Sequence, residues 1–241
     1  CPLEGVNVKR LSYKGFRKGW TTYVSLLNGC VRSMSGWTKE FLGEPTKEWL
    51  GMELTELLSL FHNKKGLEVG GPSRVFMEGA QFPVYPVVAN LDGCNFAKQT
   101  LWESGLEEGL TYNYHADKKG FQFICEAIAL TSKINACTYD FVISSNCLEH
   151  SANPLKVVEE MREVLKAGGI LFLILPKKEA NFDHNRTVVS YRHLYDDYKA
   201  NRTEDDLSHL EEIVALHDLA MDPPAGDKEQ FRARSLKNFE N

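Results

Sequence analysis

Short apolar runs alternate with longer segments of mixed polarity between residues 65 and 176. Before the last run, residues 154–166 have the apolar spacing of a helix, which proline opens and Ala167-Gly168-Gly169 closes. Strands that alternate with helices predict an α/β fold with a doubly wound, mostly parallel sheet and helices on both faces. The predicted strands are residues 67–69, 87–93, 121–125, 139–143 and 170–176.

A pair of glycines, Gly70 and Gly71, follows the first predicted strand, and Glu68 lies two residues before the pair. Glycine lets a backbone approach a ligand closely, and Pro72 and Ser73 continue a turn whose N–H groups can bind it. This arrangement is typical of a site for a nucleotide-like ligand. A nicotinamide dinucleotide site would have a third glycine and an acid about 20 residues further on. The third glycine is missing here.

Polar residues also follow the other predicted strands. Asp92 ends the second strand, where a carboxylate suits a ribose diol at the carboxyl edge of a parallel sheet. The third strand runs into Glu126 and Ala127, and the fourth enters a polar turn that contains Ser145 and Asn146.

Over residues 66–176 the chain resembles the class I S-adenosylmethionine-dependent methyltransferases, which have a Rossmann-like fold, and especially the branch called methyltransferase type 11. The resemblance rests on the glycine turn, Asp92, Glu149-His150, Asn153-Pro154 and the Leu165-to-Gly169 run before an apolar strand. It implies S-adenosylmethionine as the cofactor. The family usually has Gly-x-Gly where this chain has Gly70-Gly71-Pro72-Ser73.

The resemblance also implies a role for each candidate cofactor residue. The methionine part would lie against the glycine turn, the ribose against an acid, the adenine against the end of the third strand, and the sulfonium beside the polar turn. In that order the residues are Glu68, Gly70, Gly71, Pro72 and Ser73; Asp92; Glu126 and the Ala127 amide; and Ser145, Asn146 and His150.

The acceptor side of the site rests on fewer residues. A histidine can take a proton from a hydroxyl during methyl transfer, so His150 is the candidate base, with shaping of the cofactor site as the alternative. Asp183, His184 and Arg186 follow the fifth strand, where they can bind an acceptor or cap a helix that starts near residue 188. The histidines lack His-x-x-x-His spacing, so no metal site is predicted.

These observations favour a methyltransferase that acts on an oxygen of a small molecule or saccharide. Two alternatives stay open. One is a catalytically inactive protein of the same fold that binds S-adenosylmethionine or a protein partner. The other is a nicotinamide-dependent oxidoreductase.

Three segments are predicted. Residues 1–60 form a helical N-terminal cap that contains several aromatic residues, residues 61–176 form the cofactor-binding core, and residues 177–241 are helical. A class I sheet ends in a hairpin after its fifth strand, and nothing after Pro176 has that pattern. The expectation is therefore a helical insertion with the last strands missing, because an open sheet edge invites aggregation. A shortened sheet is the alternative.

Composition limits the remaining possibilities. The net charge of −5 argues against general nucleic-acid binding, and no apolar run is long enough to span a bilayer. The six cysteines lack Cys-x-x-Cys spacing, which favours a reduced, cytoplasmic protein, although a chain that starts at Cys1 can have lost an upstream targeting segment. The oligomeric state is left open.

Overall fold

The computed structural model describes residues 6–11, 20–27, 53–99 and 105–237. In these residues, eight strands form one sheet with the spatial order β1-β2-β8-β7-β3-β4-β6-β5. The strands are β1 (Val6–Leu11), β2 (Trp20–Leu27), β3 (Lys65–Val69), β4 (Asn90–Asn95), β5 (Gly109–His115), β6 (Lys118–Ile124), β7 (Tyr139–Ser145) and β8 (Leu165–Pro176).

The five central strands, from β8 to β6, are parallel, and the outer strands on both sides run antiparallel. The predicted α/β fold with a mostly parallel sheet is therefore confirmed. The helices are α1 (Leu54–Ser59), α2 (Pro154–Val164), α3 (Tyr191–Lys199), α4 (Leu210–Leu216) and α5 (Lys228–Lys237). Short 3-10 turns occur at Arg74–Phe76, Ala127–Ser132, Leu148–His150, Lys178–Ala180 and Pro223–Ala225.

Both faces of the sheet are covered by apolar side chains. Phe61, just after α1, meets Phe141 of β7 and Phe172 of β8 edge to face, with ring centroids 5.1 and 5.6 Å apart. On the opposite face, α2 packs Val157 and Met161 into a second core cluster. Full burial of one such side chain stabilises the fold by about 1.5–3 kcal/mol, so the two clusters hold the sheet as a rigid support for its loops.

Helix α2 begins where the sequence predicted. Asn153 is its N-cap, and the Asn153 side chain accepts a hydrogen bond from the N–H of Lys156 at 3.2 Å. Pro154 follows at the first helical position, where its missing N–H removes nothing from the helix. The cap lies next to the polar turn after β7, and it fixes the direction in which the chain leaves that turn.

The predicted helical character of the N-terminal segment was wrong for the described residues before α1. Residues 6–11 and 20–27 form an antiparallel pair, and β2 pairs with β8 from Leu26 opposite Ile170 to Trp20 opposite Pro176. The β2 sequence Trp-Thr-Thr-Tyr-Val is rich in residues that favour strands. The helical prediction gave this pattern too little weight. The residues between 28 and 52 lie outside the described part of the chain.

This hairpin occupies the sheet edge beside the fifth parallel strand, where the sequence predicted missing strands. Strands β1 and β2 thus extend the sheet where the described residues after Pro176 form no strand, and Ile170–Ile174 of β8 pair on both sides. Such pairing removes the exposed edge that invites aggregation. The helices predicted after Pro176 are confirmed as α3, α4 and α5, with shorter bounds.

Candidate functional site

The carboxyl ends of the parallel strands lie side by side and bring four predicted segments together. The N–H of Gly70 donates to the carbonyl of Cys94 at 2.9 Å, which joins the ends of β3 and β4. The N–H of Cys125 donates to the carbonyl of Asn95 at 3.0 Å, which joins the ends of β4 and β6. The Ser144 hydroxyl donates to the Val69 carbonyl at 2.9 Å, which joins β7 to β3. The glycine turn, the end of β4, residues 126–127 after β6 and the polar turn after β7 therefore share one edge.

Protein side chains pack closely against both glycines of the turn. Gly70 has φ +82°, a conformation that favours glycine, and a Cβ there would lie 2.7 Å from the Cys147 sulfur. A Cβ on Gly71 would lie 2.2 Å from the Glu68 carboxyl carbon and 2.4 Å from the Tyr112 hydroxyl. From the sequence, both glycines were expected to leave space for a ligand. In the structure they are also required by packing within the protein.

Glu68 lies beneath this turn and is fully buried. One carboxylate oxygen accepts from the Ser73 N–H at 3.0 Å, and the other accepts from the hydroxyls of Tyr85 and Tyr112, both at 2.6 Å. Burial raises the pKa of Glu68, and the hydrogen bonds from Ser73, Tyr112 and Tyr85 oppose that rise. These three bonds direct the carboxylate inward, so Glu68 supports the turn from inside the protein.

Asp92 does not lie where the sequence placed it. The strand predicted to end near Asp92 continues to Asn95, and Asp92 pairs with Leu67 in the middle of the sheet. Its carboxylate accepts from the Phe121 N–H at 2.9 Å and the Tyr139 hydroxyl at 2.8 Å, and it lies 3.4 Å from the Lys65 ammonium. The predicted start at residue 87 was wrong by three residues, because Val87 still belongs to a turn in which its N–H donates to the Val84 carbonyl at 3.1 Å. Pairing with β3 begins at Asn90.

The carboxyl end of β4 is held by Asn95 instead. Asn95 is buried, and its side-chain amide donates to the carbonyl of Gly71 at 2.9 Å. The amide thus connects the end of β4 to the glycine turn. Asn95 could have been found from the sequence if the strand had been extended three residues beyond Asp92.

Glu126 and Ala127 follow β6 at the same edge, as the sequence predicted. Burial raises the pKa of Glu126, and the nearby carboxylates of Glu204 and Asp205 raise it further. Glu204 accepts from the Ser151 hydroxyl at 2.5 Å and from the Ala152 N–H at 3.0 Å. The loop between α3 and α4 therefore lies against the strand ends and gives them an acidic border.

The polar turn after β7 holds two titratable groups close together in the chain. Ser145 is buried at the strand end, and Asn146 has φ +49°. Glu149 and His150 are both exposed by surface area, although protein atoms crowd their side chains. Partial desolvation of its carboxyl group raises the pKa of Glu149 to about 7. Desolvation lowers the pKa of His150, and the Asp183 carboxylate opposes that change. Glu149 was not predicted as a site residue, although its carboxyl group has the more strongly shifted pKa.

The predicted acceptor cluster is engaged with the C-terminal helices. Asp183 lies 3.0 Å from Nδ1 of His217, and Arg186 lies 3.4 Å from the Glu212 carboxylate. The Nδ1 of His184 lies 3.0 Å from the Asn181 carbonyl. The alternative that this cluster caps the next helix was wrong, because Ser190 caps α3 by accepting from the N–H of His193 at 3.2 Å.

In the described part of the chain, no helix is both long and apolar enough to cross a membrane. The cytoplasmic location and the absence of nucleic-acid binding stay predictions.

Comparison with known proteins identifies the class of domain. Residues 87–173 match the family described as a methyltransferase domain. Over 111 residues, 46% of this chain, the sequence is 30% identical to the ubiquinone biosynthesis O-methyltransferase of Haemophilus ducreyi (strain 35000HP / ATCC 700724). That alignment covers 44% of the relative, so the chain matches less than half of its length.

Two solved structures show distant similarity. The trans-methyltransferase CalH, in a complex with SAH, has a TM-score of 0.32 at 15% identity, over 49% of this chain and 34% of CalH. The [4+2]-cyclase SpnF has a TM-score of 0.38 at 14% identity, over 76% of this chain and 74% of SpnF. Scores this low carry no argument about function.

Residues 87–173 therefore carry a methyltransferase domain, which confirms the predicted resemblance to S-adenosylmethionine-dependent methyltransferases for this part of the chain. The prediction of S-adenosylmethionine as the cofactor of this domain is confirmed with it.

Proposed function

We propose that this chain transfers the methyl group of S-adenosylmethionine to an oxygen of a small molecule or saccharide. The observation that carries the proposal is the glycine turn, which Glu68 supports from below and which faces the same edge as the ends of β4, β6 and β7. Ligands bind at this edge of doubly wound sheets. The name of the Haemophilus relative, an O-methyltransferase, supports an oxygen acceptor.

The chemistry of the edge suits this cofactor. When bound, S-adenosylmethionine supplies a methyl group on a positively charged sulfur. Three carboxyl groups, those of Glu126, Glu204 and Asp205, lie near one another at the edge and favour a cationic ligand. Glu68 and Asp92 already have buried partners, so we assign them to supporting the turn and the sheet.

The remaining cofactor contacts follow from position. Gly70, Gly71, Pro72 and Ser73 form the turn that would hold the methionine part. The Asn95 side chain, and not Asp92, would contact the ribose. Glu126 and the Ala127 amide would contact the adenine, and Ser145 and Asn146 would line the opening beside the sulfur.

Proton removal is the chemical task left to the protein. An alcohol must lose its proton as the methyl group arrives, and a nearby base speeds this step. His150 has a lowered pKa, so its imidazole is mainly neutral at pH 7 and can accept a proton. Glu149, with a pKa of about 7, is the second candidate base. Otherwise the protein aligns the acceptor and excludes water.

The acceptor side of the site is assigned to the loop around Asp183, His184 and Arg186. Asp183 influences the His150 imidazole electrostatically and is itself held by His217. This loop therefore connects the candidate base to the end of α4. A change in the loop would alter acceptor binding and proton transfer more than cofactor binding.

The test has two parts. Calorimetry on the whole chain should show binding of S-adenosylhomocysteine and none of NAD. Labelled methyl transfer from S-adenosylmethionine to a panel of hydroxylated metabolites and sugars should then identify an acceptor, and His150→Gln should lose transfer while keeping cofactor affinity. Cofactor binding without transfer to any acceptor would favour the inactive alternative. A folded chain that binds no S-adenosylhomocysteine would refute the proposal.

A further inference from the structure

Two histidines and an aspartate converge between α3 and α4, away from the glycine turn. The Nε2 atoms of His193 and His209 lie 3.0 Å apart, and Oδ2 of Asp197 lies 3.1 Å from Nε2 of His193. One ligand atom from each residue lies within 4.8 Å of the other two. His193 and Asp197 are four residues apart on one face of α3, and His209 comes just before α4.

Protons alone do not satisfy these three atoms well. The carboxylate of Asp197 is an acceptor only. Nδ1 of His209 lies 3.4 Å from Oε2 of Glu212, which favours the tautomer with the proton on Nδ1 and a lone pair on Nε2. Nε2 of His193 carries one proton at most, and two acceptors face it: Nε2 of His209 and Oδ2 of Asp197. A cation at the centre would interact favourably with all three atoms.

The ligand set and its distances indicate the type of ion. Two imidazoles with one carboxylate suit zinc and similar transition metals, whereas magnesium and calcium prefer oxygen ligands alone. In a tetrahedral zinc site, bonds of about 2.0–2.1 Å place neighbouring ligand atoms about 3.3–3.4 Å apart. Two of the three separations, 3.0 and 3.1 Å, are close to that edge length, and the third, between the ligand atoms of Asp197 and His209, is within 4.8 Å.

The surroundings also resemble those of metal sites. Ligating histidines commonly donate their second N–H to a carboxylate, as the Glu212 contact allows for His209. The guanidinium of Arg202 lies 3.8 Å from the other oxygen of Asp197 and 3.2 Å from Asp206. These contacts hold the Asp197 carboxylate in place. The chain lacks His-x-x-x-His spacing, but His193 and Asp197 have the same four-residue spacing, and His209 comes from another element.

We propose that His193, Asp197 and His209 bind one divalent transition-metal ion, zinc in the first instance, with a water in the fourth position. The ion would join α3 to the start of α4 and fix the loop between them. That loop carries Glu204, which binds Ser151 and Ala152 beside the candidate active site. The ion is thus a structural clamp on the acidic border, with no part in methyl transfer itself.

The test uses the whole chain after treatment with a chelator and dialysis. Zn(II) titrated by calorimetry should bind with a stoichiometry of one, and the melting temperature should rise saturably with free zinc. His193→Ala and His209→Ala should each weaken binding at least tenfold, and Glu212→Gln by about tenfold to a hundredfold. The exposed His62 lies outside the cluster, so His62→Ala is the matched control and should keep full affinity.

A second measurement keeps the test decisive if the alanine variants unfold. Asp197→Asn preserves side-chain size and should abolish the visible absorption of Co(II) bound in a four-coordinate site, while circular dichroism shows the fold intact. Absence of zinc binding by the intact, folded chain would overturn the proposal. Equal affinity in the His193→Ala, His209→Ala and His62→Ala chains would overturn it as well.

Discussion

Removing the Tyr112 hydroxyl tests whether the Glu68 carboxylate shapes the cofactor site. Tyr112 is buried, and its hydroxyl donates to Glu68 at 2.6 Å. A hydrogen bond to a charged group contributes about 1.5–3 kcal/mol. Tyr112→Phe should lower the free energy of unfolding by an amount near the lower end of that range, because Tyr85 still donates to the same oxygen.

The same change should weaken cofactor binding. With one of its three donors lost, the Glu68 carboxylate holds the Ser73 end of the glycine turn less firmly. We expect urea unfolding to report the loss of stability, and calorimetry with S-adenosylhomocysteine to report an affinity about tenfold lower, equivalent to about 1.4 kcal/mol.

A matched variant separates stability from positioning. Tyr139 also donates its hydroxyl to a buried carboxylate, Asp92, at 2.8 Å, but this pair lies in the middle of the sheet. Tyr139→Phe should therefore cost similar stability and leave cofactor affinity unchanged. If the two variants bind S-adenosylhomocysteine equally well, the Glu68 network does not position the turn.

Three further predictions concern Gly71, the end of β4 and the titration of Glu149. Gly71→Ala should destabilise the chain by more than 1 kcal/mol in urea, by overpacking against Glu68, and a stable variant with unchanged cofactor affinity would contradict the packing argument. Asn95→Ala should weaken S-adenosylhomocysteine binding, whereas Asp92→Asn should mainly reduce stability. If calorimetry shows the reverse pattern, Asp92 is the residue that contacts the ribose. The pKa of Glu149 is raised from 4.5 to about 7 in the folded chain, so its contribution to stability is lost as pH rises through this range. Glu149→Gln should therefore gain stability relative to the parent chain between pH 5 and pH 8, and a constant difference in unfolding free energy would refute the shift.

The site shows which parts of the prediction depended on local sequence. The glycine turn, the helix start at Asn153 and the five central parallel strands were all found, because caps, turns and periodicity depend on residues a few positions apart. The end of β4 was misplaced, because an apolar run does not show which of its residues pair with a neighbouring strand. For that reason Asn95, and not Asp92, lies at the end of this strand.

Contacts between distant residues account for the rest. Tyr85 and Tyr112 lie 17 and 44 residues from Glu68, so nothing near Glu68 in the sequence shows that its carboxylate is already engaged. His209 lies 16 residues from His193, and only the folded course of the chain between α3 and α4 brings their rings together. The aromatic content of the N-terminal segment likewise indicated a core without showing that β2 would pair with β8.

The sequence by itself determined the class of fold, the approximate positions of the parallel strands and of helix α2 along the chain, and the turn at which a nucleotide-like cofactor is expected. These features are encoded in hydrophobic periodicity and in single residues with special backbone preferences. Tertiary structure alone decided which carboxylates are buried and satisfied, which remain at the strand ends, and which strands close the sheet edge. Burial and hydrogen bonding decide these properties, and both depend on groups that are distant in the chain and meet only when it folds.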